Sequence, residues 1–213
     1  ISTYLGFLSP VILVLGITLG TLYYRNLTDL LKVLFFYLVI GLIFHIISFI
    51  FELAYGNNLI FMPLYGLFEL ILFSILYSKF MLEGQLSNTI VILGVVGSSY
   101  IIYETLTVNS SIPQEFQSYS RTLAAFLIVS YSMIYFFDKL SKGTNTNDSS
   151  LVLNTFILVF FSLNLIFSLP INFLVNKSSD WTFYFFFGSI VITILFYAYI
   201  TYSLWKNGKT RIR

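Results

Sequence analysis

Seven runs of about 20 predominantly apolar residues follow one another along this chain of 213 residues, and no other feature constrains its fold so tightly. A helix of that length rises about 30 Å, the thickness of a bilayer's hydrocarbon core. The runs cover residues 4–24, 33–55, 60–81, 89–108, 122–140, 151–175 and 181–205. Inside hydrocarbon a backbone must satisfy its own N–H and C=O groups, so isolated runs of this kind fold as helices. The pattern predicts an all-α, polytopic transmembrane bundle of about seven spans, a single domain over residues 1–213. The connections at 25–29, 56–58, 83–87, 109–120, 141–150 and 176–180 are too short to fold independently. The sequence starts at Ile1, and the first run has neither a basic leader nor a small-residue cleavage site, so it is expected to be a span rather than a signal peptide.

Composition agrees with membrane burial. Charged residues make up 9% of the chain against about 25% in soluble domains, and hydrophobic residues 58%. The basic residues are scattered singly, which excludes a nucleic-acid footprint. Zero cysteines exclude disulfides, thiolate nucleophiles and cysteine-ligated metals. One histidine, His45, cannot build the multi-histidine centres of intramembrane metallohydrolases or bis-histidine haem sites within one subunit. No cofactor and no metal is expected.

The basic residues carry topological information, because cytoplasmic loops retain Lys and Arg during insertion. Arg25, Lys32, Lys79, Lys139, Lys142, Lys206, Lys209, Arg211 and Arg213 fall on one side of the alternating spans, and Arg121 and Lys177 on the other. This asymmetry predicts an outside amino terminus and a cytoplasmic carboxyl terminus. The basic tail from Lys206 is expected to lie against anionic lipid. Gly16 with Gly20, and Gly94 with Gly97 and Ser98, mark close helix contacts. Pro63 falls in a first helical turn, whereas Pro170 lies inside the sixth run and predicts a kink there.

Ionisable groups inside spans are costly and mark candidate sites: His45, Glu52, Glu69 and Glu104. Counting 1.5 Å per residue from the tight turn at 56–58 places His45 roughly 18 Å deep and Glu69 roughly 16 Å deep. That level match predicts a His45–Glu69 hydrogen bond, with Asn164 and Thr193 completing a polar layer. Glu52, Glu104, Tyr65 and Asn172 form a shallower layer. His45 and Glu52 are seven apart and share one helix face, as do Tyr65 and Glu69, four apart. Together the layers suggest a pocket open to the outside, lined by aromatics, for a ligand or a proton. Each residue also has a plainer role: Glu52 and Glu104 as carboxylates snorkelling to headgroups, His45 with Glu69 as a structural pair, Asn164 and Thr193 as packing contacts, and Trp181, Trp205 and the tyrosines near both ends as an interfacial belt.

With Asn57-Asn58, Tyr65 and Glu69 at the second hairpin and Asn164 before Pro170, the chain resembles small uncharacterised seven-helix bacterial inner-membrane proteins, over most of its length. The resemblance implies a multi-pass inner-membrane location and no assigned reaction. Three functional readings follow. The first is a ligand-sensing module or an accessory subunit that passes a change to a protein partner, since the sequence shows no output domain of its own. The second is a metal-independent enzyme acting on a lipid, with Glu69 as general base and His45 sharing its proton. The third is a proton-coupled small-molecule transporter using His45, Glu69 and Glu52. Membrane lipids are partners in all three.

Overall fold

The computed structural model describes residues 2–56, 58–107, 119–143, 149–174 and 180–210; the side chains of 2–7, 171–174, 180–183 and 210 lie outside that description. Seven helices follow in order: α1 (Ser2–Leu22), α2 (Asp29–Tyr55), α3 (Phe61–Leu76), α4 (Gly84–Thr107), α5 (Ser120–Ser141), α6 (Ser149–Leu174) and α7 (Asp180–Thr210). Among the described residues there is no strand. Six helices are long and apolar enough to cross a membrane, and the described part of α1, Leu8–Leu22, is a shorter apolar helix. Leu53, Val96 and Leu195 are 73%, 63% and 64% exposed, an outward apolar surface that a soluble domain would not tolerate on this scale. The chain is a helical membrane protein.

Local chemistry sets the helix ends. Thr28 caps α2, its side chain accepting from the Leu31 N–H at 3.3 Å, and Asp29 in the first turn pairs with Lys32 at 2.8 Å. The helix therefore starts four residues before the apolar run. Gly56 ends it at φ 68°, a left-handed conformation that favours glycine, and its N–H donates to the Glu52 carbonyl at 2.9 Å. Likewise α4 begins at Gly84 rather than at Thr89, and α7 continues past Trp205 to Thr210. Apolar composition marks the hydrocarbon-embedded part of a helix, and the hydrogen-bonded backbone extends beyond it. Pro63 is buried in the first turn of α3, and α6 continues as helix through Pro170. At its end α3 widens into a π turn over Tyr77–Met81.

Consecutive helices lie side by side, α1 also packs along α7, α3 also meets α5, and α2 touches α7. The glycine pairs sit in these seams. Gly16 faces Leu38 and Thr201, Gly20 faces Phe35, Gly94 faces Ser74, and Gly97 faces Leu70 and Leu127. The core between α2, α3, α6 and α7 is aromatic: Phe73 meets Phe161 edge-on at 4.8 Å, and Phe160 stacks on Phe196 at 4.0 Å.

The two ends of the bundle differ. At one, the Asn26 side chain donates to the Gly208 carbonyl at 3.4 Å, joining the α1–α2 link to the end of α7. This is the basic end. Lys32, Lys139, Lys206 and Lys209 each lie over an aromatic ring there, at 5.6 to 5.8 Å. At the opposite end lie the α2–α3 turn and the start of α5, with Arg121. Lys177, Arg211 and Arg213 are outside the described residues.

Candidate functional site

One stripe of α2, comprising Gly41, Phe44, His45 and Ser48, and one stripe of α7, comprising Phe186, Ser189, Ile190, Thr193 and Tyr197, face each other across a gap. Both stripes follow the three- and four-residue spacing that keeps side chains on one helix face. Ser9 of α1, Met62 and Tyr65 of α3, and Arg121 of α5 close the gap into a cavity of about 460 Å³. That volume falls within the usual range of small-molecule sites, roughly 300–1,000 Å³.

Tyr65 and Tyr197 form the polar floor, their hydroxyl oxygens 2.8 Å apart. Tyr65 also donates to the Tyr37 hydroxyl at 3.2 Å, and Tyr37 donates to Glu69 Oε1 at 2.9 Å. A phenol has one proton to give, so Tyr197 donates to Tyr65 and the three hydroxyls point in series toward Glu69. Glu69 and Tyr37 are buried, 2% exposed each. The carboxyl thus lies behind the cavity wall, joined to it by a hydroxyl chain. Gly41 leaves room for the end of this chain, since a Cβ there would stand 3.3 Å from the Tyr197 hydroxyl.

Arg121 supplies the positive charge. Its guanidinium lies over the Tyr65 ring at 5.9 Å, and its Nε is buried without a hydrogen-bond partner. Its place is set by backbone packing: a Cβ on Gly66 would sit 3.2 Å from the Arg121 Cα, so α3 approaches the first turn of α5 there at glycine distance. Among the described residues no Asp or Glu stands in the cavity wall.

The expected His45–Glu69 hydrogen bond is not formed; Glu69 takes its bond from Tyr37, and His45 makes none among the described residues. His45 lies eight residues after Tyr37, about 12 Å along α2 and about 80° further round it, so neither its level nor its face is the one that meets Glu69. The direct Glu69–His45 contact on which the lipid-enzyme reading was built is not made among the described residues. His45 instead shares the cavity wall with Thr193, whose hydroxyl donates to the Ser189 carbonyl at 2.8 Å within its own helix. Tyr65 and Glu69 do share one face, and both connect through Tyr37.

The other candidates stand apart. Glu52 is exposed and accepts from the Asn58 amide at 3.2 Å, latching the α2–α3 turn. Glu104 is buried, and its Oε1 accepts from the Ser120 backbone N–H at 3.2 Å, holding the start of α5 to α4 with a carboxylate where a helix N-terminus favours one. Asn164 is buried on α6, away from the cavity wall and bonded to none of the other candidates. The Asn57 position and the Asn172 side chain lie outside the described residues.

Arg121 enters the sequence reading only as a marker of the outer side, and Tyr37 and Tyr197, inside the runs 33–55 and 181–205, carry no assigned role there. A second buried network occupies the basic half: Tyr77 donates to Asn154 Oδ1 at 2.6 Å and lies 2.6 Å from Ser132 Oγ, while Asn154 Nδ2 donates to the Ser132 carbonyl at 3.1 Å. Its groups satisfy one another and leave no cavity, so it joins α3, α5 and α6 rather than forming a site. No family model, curated protein or solved structure matches the chain.

Proposed function

We propose that this chain is a ligand-sensing module of a bacterial inner membrane, which binds a small molecule in the cavity between α1, α2, α3, α5 and α7 and passes the change to a partner protein. The cavity carries this reading. It joins a roomy space to a buried carboxyl through three hydroxyls, so occupancy can alter a hydrogen-bonded chain that ties α2, α3 and α7 together. The basic end supports an outside amino terminus and a cytoplasmic carboxyl terminus, which turns the cavity end outward. Quantitative pull-down of the tagged full chain from its own membrane tests the sensing role. A specific partner should be recovered in an amount that changes when Thr193→Trp fills the cavity; recovery of that partner unchanged by the filling contradicts sensing.

One observation favours a second reading, proton-coupled transport: the series Tyr197, Tyr65, Tyr37, Glu69 is a route by which a proton moves between cavity and carboxyl. Reconstituted vesicles separate the two. Transport predicts solute flux that depends on an imposed pH gradient and is lost in Glu69→Gln; sensing predicts no flux in either protein.

A further inference from the structure

We infer that the cavity takes an amphipathic anion, a carboxylate or phosphate monoester with a short apolar body, whose charged group sits on Arg121. The inference rests on reading the cavity as a ligand site and adds the chemistry of its ligand.

The first ground is charge. Among the described residues Arg121 is the one permanently charged side chain in the wall, and no carboxylate lines the cavity with it. Glu69, behind the wall, accepts from Tyr37 and makes no ion pair with Arg121 among the described residues. The second ground is the unmet hydrogen bond at Nε. A guanidinium donates through five N–H groups in a fixed fork and cannot shed its proton, so a guanidinium that lines a cavity and lacks a partner at Nε calls for an acceptor in that cavity at the rest of its fork. A planar carboxylate or a phosphate matches that fork. The tyrosines do not compete for this role, because their protons run inward to Glu69. The third ground is the remaining wall, where Phe44, Phe61, Phe186 and Ile190 offer an apolar surface next to the charge. A bare inorganic ion would leave that surface uncovered, and a cation would meet Arg121.

Such an anion comes from the aqueous phase or from the headgroup of an anionic lipid, and one experiment separates these sources from each other and from failure. The full-length protein in phosphatidylcholine nanodiscs is titrated calorimetrically with octanoate, octyl phosphate, octanol and inorganic phosphate. Octanoate and octyl phosphate should bind saturably, with octanol and inorganic phosphate roughly tenfold weaker or more, and Arg121→Gln should lose roughly tenfold or more of the anion affinity while Arg121→Lys keeps part of it. Each variant's unfolding transition checks that it is folded. Doping the nanodiscs with phosphatidic acid distinguishes the sources: competition with octyl phosphate in the wild type identifies a lipid headgroup, and unchanged octyl phosphate binding identifies a soluble anion. Equal binding of octanol and octanoate, unaffected by Arg121→Gln but abolished for both by Ser189→Trp, overturns the anion assignment and leaves the cavity reading standing. Absence of binding by every probe and by phosphatidic acid overturns both.

Discussion

Tyr37 is the residue on which the candidate site turns. It gives the buried Glu69 its hydrogen bond and receives one from Tyr65, so it converts an isolated carboxyl into the end of a chain that reaches the cavity. Removing its hydroxyl leaves a buried acceptor unmet. Tyr37→Phe should therefore lower stability by about 1–3 kcal/mol in reversible detergent unfolding, whereas Tyr103→Phe, at a side chain 65% exposed, should stay within about 0.5 kcal/mol of the parent. The same argument applies to Tyr77, which holds both Ser132 and Asn154 at 2.6 Å. Tyr77→Phe should cost about 2 kcal/mol or more, without changing ligand binding, because its network has no opening to the cavity. A Tyr77→Phe protein as stable as the parent would show that this network adds nothing to the α3–α5–α6 contact.

At the scale of the helix, two glycines make opposite demands. Gly56 has open space around it and a positive φ of 68°, so Gly56→Ala should cost about 1 kcal/mol through backbone conformation alone. Gly66 has an ordinary helical backbone but faces Arg121 at glycine distance. Gly66→Ala should push the start of α5 away and weaken anion binding several-fold by titration, and Gly56→Ala should leave binding unchanged. The helices themselves were legible in the sequence because hydrocarbon forces each apolar run into one form, and their seams because small residues mark them. Helix ends were displaced where a polar cap such as Thr28 starts a helix before its apolar stretch. The site was legible only in part. Counting residues from the turn fixes neither the level at which two helices meet nor their rotation, so Glu69 meets Tyr37, about 12 Å along α2 from His45, while His45 faces the cavity. Arg121 was hidden by its position at a span boundary, where a basic residue is ordinarily a solvated loop charge. Glu104 beside it had a signal of the right kind, a costly charge inside a span, and its use is to hold a helix start.

For the molecule as a whole, the charge asymmetry predicts the orientation that the proposal requires. A carboxyl-terminal fluorescent-protein fusion should fluoresce and a carboxyl-terminal periplasmic phosphatase fusion should be inactive, since both read a cytoplasmic end. An active phosphatase would invert the bundle and turn the cavity inward. Two polar groupings lie along the same axis: in the basic half Tyr77, Ser132 and Asn154 bond to one another, while toward the opposite end Arg121 and His45 line the cavity. The most direct test of the binding end is native mass spectrometry of the protein released gently from its own membrane, beside the Thr193→Trp protein prepared identically. A discrete bound mass on the parent, absent from the filled variant, is the predicted result; the same mass on both proteins, or none on either, contradicts a ligand in this cavity.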